Sequence, residues 1–144
     1  MTSSTVSPTD VVKKYKFVAV VGASKSPEKE AYTVPAYLQR NGFKIVPINP
    51  TADSIHGEKA FPSLSALPDD IAKRVEVVEV FRPSEELPQV ASQVVEMKKR
   101  TGRPLVFWAQ AGIENEDAKR MLSAAGVDYV MDACLRTVHQ LHGH

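Results

Sequence analysis

The sequence predicts an α/β fold: a three-layer domain in which a parallel β-sheet carries helices on both faces. Two observations lead there. Short, continuous, β-branched apolar runs alternate with longer segments of helical period, and the links between them are short and rich in Gly, Pro, Asn and Asp. A strand buried on both faces reads as an unbroken apolar run, and right-handed crossovers then place the intervening helices on both sides of the sheet.

Taken in order, Met1 to Pro8 is rich in Ser and Thr and has no hydrophobic period, so residues 1–10 are expected to be a flexible segment and 11–144 a single domain. Phe17 to Val21, ended by Gly22, is the first strand. Thr33 is placed to cap a helix over Val34 to Asn41, with Pro35 in its first turn and Gly42 closing it. Lys44 to Ile48 is the second strand, stopped by Asn49-Pro50. Thr51 to Pro68 reads as loop with one short helical turn near Ser63 to Leu67, because His56-Gly57, Phe61-Pro62 and Leu67-Pro68 interrupt it.

Val75 to Phe81 is the third major strand, and its two glutamates are expected near a sheet edge or end. A helix follows from Ser84 through Val90, Val94 and Met97 to Thr101-Gly102. Pro104 to Ala109 is the fourth strand. Asn115 then caps an acidic first turn, Glu116 and Asp117, of a helix ended by Gly126. Val127 to Met131 is the fifth strand, and Asp132 is placed to cap a last helix through Leu135, Val138 and Leu141.

Composition narrows the function. The 144 residues carry 18 basic and 17 acidic side chains, a net charge of +1, so there is no broad positive field for a nucleic acid. The apolar share of 43% and charged share of 24% are those of an ordinary globular protein. Cys134 is the single cysteine, which rules out an intramolecular disulfide and fits a reducing, cytoplasmic setting. The longest apolar run, Phe17 to Ala23, is too short to span a membrane, and the first residues lack the apolar core of a secretory leader.

In a parallel sheet ligands sit beyond the carboxyl ends of the strands, so the residues just after each strand carry the functional information. The first is followed by Gly22-Ala23-Ser24-Lys25, a small-residue turn whose backbone N–H groups suit a phosphate. The glycine spacing of the NAD fingerprint is missing, since Ser24 and Pro27 stand where two glycines belong. The second strand ends in Asn49-Pro50 rather than an acid. An uncharged side chain there suits a ribose that bears a phosphate, as in coenzyme A or NADP. The third ends in Phe81-Arg82-Pro83, which offers a flat apolar face and a guanidinium. The fourth leads into Gln110-Ala111-Gly112-Ile113, and the fifth into Asp132-Ala133-Cys134.

Together, Val20-Val21-Gly22-Ala23-Ser24, Val46-Pro47-Ile48-Asn49-Pro50, Val80-Phe81-Arg82, Trp108 to Ile113 with Asn115-Glu116, and Asp132-Ala133-Cys134 resemble a known family. It is that of the small stand-alone coenzyme A-binding proteins, Rossmann-like domains related to the coenzyme A-binding domain of the succinyl-CoA synthetase α subunit. The resemblance runs from about Tyr15 to His139. It implies that Gly22, Ala23, Ser24 and Lys25 approach the pyrophosphate and that Asn49 and Pro50 lie beside the adenosine. It also implies that Phe81, Arg82 and Pro83 border the nucleotide, while Gln110, Gly112 and Ile113 border the pantetheine arm. Ala133 departs from the family, many members of which carry a basic residue there.

The expected function is therefore binding of coenzyme A or an acyl-CoA, as a homodimer, without evident catalytic machinery. The synthetase reaction also needs a phosphorylated histidine from a further domain, which has no counterpart in these residues. The alternatives are an enzyme acting on acyl-CoA through Cys134 or His139, and an NADP-dependent oxidoreductase. Cys134 itself has two readings, an inert buried thiol or one close enough to the coenzyme's thiol to form a mixed disulfide. Trp108 and His139 are expected to be packing residues, and His142 and His144 to face solvent.

Overall fold

The computed structural model describes residues 2–143; Met1 and His144, which fall in the predicted flexible segment and the exposed terminus, lie outside the described residues. Eight strands and six α-helices occur in the order β1 (Ser3–Ser4), α1 (Pro8–Lys14), β2 (Phe17–Val21), α2 (Glu30–Arg40), β3 (Lys44–Ile48), β4 (Ser54–Ile55), β5 (Glu58–Lys59), α3 (Asp69–Ala72), β6 (Val77–Val80), α4 (Leu87–Thr101), β7 (Val106–Ala109), α5 (Glu116–Ala124), β8 (Asp128–Met131) and α6 (Leu135–His142). Single 3-10 turns at Leu64–Ala66 and Ser84–Glu86 precede α3 and α4.

The main sheet has the order β1-β8-β7-β6-β2-β3. Its last five strands are parallel, with β1 antiparallel on the outer side of β8. Because both faces are covered, neighbouring residues of one strand enter different cores. Ala19, Val21, Val78, Val80, Phe107 and Ala109 pack with Val90, Val94 and Leu122 of α4 and α5. Val18, Val20, Val77, Trp108 and Val130 pack with Val11, Val34, Leu38 and Leu135 of α1, α2 and α6. The predicted three layers are therefore the observed ones, and Trp108 is fully buried core, donating Nε1–H to the Ala133 carbonyl at 2.9 Å.

Several local expectations need correction. Residues 3–7 are not frayed: Ser3–Ser4 pairs with Val130 and Met131, and Thr5 N–H reaches the Tyr129 carbonyl at 3.0 Å. Ser7 caps α1 by accepting from Asp10 N–H. These bonds use backbone and hydroxyls, which leave no apolar period to read. Helix α2 starts at Glu30, so Thr33 is not its cap and Pro35 lies inside it. The missing proline N–H leaves the Ala31 carbonyl without its helical donor, and Ser24 N–H of the Gly22 turn fills that vacancy at 3.1 Å. The loop after Asn49 contains the hairpin β4–β5, turned by His56 and Gly57 at positive φ, as well as the predicted turn at Leu64–Ala66. Asp132 has φ +60 and does not cap α6; Cys134 holds the N-cap position.

The largest correction concerns the glutamates of β6. Glu76 does sit at the strand's beginning, where its carboxylate accepts from Lys16 and Phe17 N–H at 3.0 and 3.1 Å. Glu79 is in the centre of the sheet, opposite Val20 and Trp108, and fully buried.

Asn115 caps α5 as predicted, accepting from Ala118 N–H at 2.9 Å, and its Nδ2 also donates to the Ser84 carbonyl at 3.1 Å. It thereby ties the loop after β7 to the start of α4. Asn115→Ala is expected to cost about 1–2 kcal/mol in urea unfolding, since a cap and a tertiary bond are lost together.

Candidate functional site

The chain runs from β2 outward to β3, then returns across β2 to β6, so strand order reverses between β2 and β6. Such a reversal separates the two strand-end loops and opens a crevice between them. Gly22 ends β2 and Arg82 follows β6 on either side of it. A cleft of about 230 Å³ lies there, lined among others by Gly22, Pro50, Arg82, Glu86, Gln89 and Gln93. A larger groove of about 610 Å³ continues from Gln93 along α4 past Met97 and Arg100.

Gly22 has φ +85, and a Cβ there would collide with the Phe81 carbonyl oxygen. Only glycine allows this close approach of the two loops. Within the turn, Gly22 N–H is bound to the Ile48 carbonyl and Ser24 N–H to Ala31, while Ser24 Oγ accepts from Ser26 N–H. The N–H groups of Ala23 and Lys25 have no acceptor among the described residues, so these two are the donors the turn presents. The Ala23 methyl is buried core and the Lys25 side chain is exposed.

Asn49 acts as a staple. Its Nδ2 donates to the Ala23 carbonyl at 2.9 Å, and its Oδ1 accepts from Thr51 and Ala52 N–H at 2.8 and 3.0 Å. It fixes the Gly22 turn against the loop after β3, and Pro50 supplies the wall beside it. Arg82 is held by a bidentate pair with Glu86, at 2.8 and 3.0 Å from Nη2, and both side chains remain substantially exposed. Phe81 does not line this cleft; its half-buried ring packs on the α1, α2 and α6 layer, and Pro83 is exposed at the rim.

The second group of predicted residues gathers at the ends of β7 and β8. Gln110 is buried, and its Oε1 accepts from Leu135 N–H at the start of α6 at 3.1 Å. Gly112, exposed with φ +81, donates its N–H to Asp132 Oδ1 at 2.6 Å, which clips the loop after β7 to the loop after β8. Half-buried Ile113 packs on the α4 and α5 core. Cys134 is half-buried beside Gln110.

Cys134 and Glu79 have perturbed acidities. Burial pushes the Cys134 thiol up, but the Gln110 side chain and polar groups of Thr137 and Arg136 in the first turn of α6 outweigh it, leaving the pKa below that of an ordinary thiol. Burial, reinforced by the negative charge of an ionised Cys134, pushes the Glu79 carboxyl well above the usual range, against a smaller attraction from Arg136. Neither Glu79 oxygen has a hydrogen-bond partner among the described residues, and the same is true of Gln110 Nε2.

His139 is buried, with Nδ1 2.7 Å from the Tyr37 hydroxyl and its ring edge-on to Phe43. It packs between α2 and α6, as expected of a structural histidine, and His142 is exposed. No cluster of three or more metal-ligating side chains occurs among the described residues, and no helix among them is long and apolar enough to cross a membrane. Sequence reasoning missed Glu86, Gln89 and Gln93. Their signal was polar side chains at helical spacing just after the Arg82 strand end, a pattern that solvent-facing helices share.

Comparison with known proteins agrees with this geometry. The chain is 39% identical over 130 residues to an uncharacterized protein, YneT, of Bacillus subtilis, covering 90% of each chain. It is 36% identical over 80 residues to the ADP-forming acetate–CoA ligase II of Archaeoglobus fulgidus, which is 54% of this chain and 11% of that enzyme. Among solved structures, a hypothetical protein from Pyrococcus horikoshii superposes with a TM-score of 0.83 at 28% identity, covering 96% of this chain and 93% of that one. The family model for the CoA binding domain matches residues 16–140, and with nearly the whole domain inside that match, the chain belongs to the CoA binding domain family.

Proposed function

We propose that this protein binds coenzyme A or an acyl-CoA as a self-sufficient domain, in the cytosol and as a homodimer. The observation that carries the reading is the cleft at the strand-order reversal, where Gly22 lets the β2 and β6 loops meet beside a guanidinium. The open Ala23 and Lys25 N–H groups and the Lys25 and Arg82 side chains supply donors for phosphate groups. Pro50 borders the adenosine, and Asn49 acts by holding the turn in place. Gln110, Gly112, Ile113 and Cys134 lie along the path of the pantetheine arm, while Phe81 and Pro83 support the rim from the other side.

Isothermal calorimetry tests the assignment. Coenzyme A should bind more tightly than dephospho-coenzyme A, and both more tightly than NADP; a preference for NADP would favour the oxidoreductase reading. Lys25→Ala and Arg82→Ala should each weaken coenzyme A binding by about 1–3 kcal/mol. Glu86 competes with a phosphate for the charge of Arg82, so Glu86→Gln should tighten binding, with a larger gain at low salt. Unchanged affinity in both cation variants would reject the pocket.

A further inference from the structure

We propose that Cys134 is a thiol-exchange site, at which the protein forms a reversible mixed disulfide with the disulfide form of the coenzyme. The inference rests on the binding reading above and adds a reaction to it.

Three features converge at this position. Cys134 is half-buried, not sealed in the core, and caps the N-terminus of α6, where the helix favours a negative sulfur. Gln110, 1% exposed, spends its Oε1 on Leu135 N–H, while its Nε2 has no hydrogen-bond partner and lies in the side chain adjoining the thiol. A buried amide donor without an acceptor is costly, and a thiolate is a far better acceptor than a thiol. Glu79, also buried and unpartnered, lies on β6 within reach of the charge of the same sulfur. Burial opposes its ionisation, which weakens its repulsion of a thiolate. An inert packing cysteine has no need of an orphaned amide beside it.

The location fits the ligand. Cys134 sits past the end of β8, and Ala133 N–H reaches back to the Ala109 carbonyl of β7 at 3.4 Å. From β2, which carries the phosphate-facing turn, to β7 and β8 is two to three strand spacings, or roughly 10–14 Å. An extended pantetheine arm spans a gap of that order, so a coenzyme anchored at Gly22 and Arg82 delivers its sulfur to this end of the rim. In the step itself, the Cys134 thiolate attacks one sulfur of the coenzyme disulfide. The S–S bond breaks, a Cys134–S bond forms, and the second coenzyme leaves as a thiolate that takes a proton from solvent. No further oxidant is required.

The test uses the whole protein and intact-mass measurement. Coenzyme A disulfide should add one coenzyme A less two hydrogen atoms, removable by dithiothreitol, about tenfold or more faster than glutathione disulfide forms its own adduct. Desulfo-coenzyme A, which fills the rim but has no sulfur to exchange, should slow the reaction. Cys134→Ser, or wild-type protein first alkylated with iodoacetamide, should give no adduct. In Gln110→Met the alkylation rate should need a higher pH to reach half its limit, a shift that a purely structural glutamine would not produce. Absence of the adduct, or equal rates for both disulfides without protection by desulfo-coenzyme A, would overturn the proposal. If calorimetry with reduced coenzyme A still shows binding, only the exchange chemistry falls; if that binding is absent, the functional reading falls with it.

Discussion

Gly22→Ala is expected to lower stability by about 3 kcal/mol or more and to abolish nucleotide binding in whatever fraction still folds. The residue has φ +85, and a side chain there strains the backbone by about 1–2 kcal/mol before any contact is considered. The added methyl also meets the Phe81 carbonyl oxygen, a backbone atom held in place because Phe81 N–H is bonded to the Val21 carbonyl at 2.9 Å. Relief requires the β2 and β6 loops to separate, and that separation destroys the crevice. Urea unfolding reads the first effect and calorimetry with coenzyme A the second. A variant of wild-type stability and affinity would show that the close approach is not needed.

Glu79→Gln has the opposite sign. The folded chain holds the Glu79 proton more tightly than the unfolded chain does, because burial opposes ionisation and no partner compensates it. The contribution to stability is fully present below the ordinary glutamate pKa of about 4.3 and is lost as pH rises toward the elevated folded value, at up to about 1.4 kcal/mol per pH unit. Wild type should therefore lose stability as pH rises above the ordinary glutamate range by this route, and the amide, which does not titrate, should not. Glu79→Gln is expected to be the more stable protein at pH 8 and close to wild type at pH 4.5. Urea midpoints across that range decide it, and parallel curves for the two proteins would contradict the burial argument.

Much of the frame was legible before any coordinates. Phe17–Val21 and Lys44–Ile48 are strands over the limits read from their apolar runs, because a strand buried on both faces selects apolar residues along its middle. The Asn115 cap was legible from the acidic turn behind it. What escaped was structure made by the backbone or by distant partners. Ser3–Ser4 is a strand only because β8 offers an unpaired edge, and no local pattern encodes that. Pro35 reads as a helix start, yet its lost bond is useful inside α2, where the freed Ala31 carbonyl anchors the Gly22 turn. Glu79 reads as an edge residue because charge is rare in a central strand, and that rarity is why its burial matters.

The site divides along the same line. Gly22, Pro50 and Arg82 were named from strand-end position together with the family resemblance, and they meet in one cleft. Asn49, also named there, turned out to be a staple spent on the backbone, and Phe81 to point into the opposite layer.

The order of apolar and helical periods along this chain was enough to determine a parallel α/β sheet and which loops crowd the rim at its strand ends, because burial dictates residue type strand by strand. Which polar side chains at that rim remain free, and which are consumed in holding it, was decided only in three dimensions. Hydrogen-bond partners more than twenty residues apart, such as Asn49 with Ala23 or Gln110 with Leu135, are matched by tertiary geometry and leave no period in the sequence.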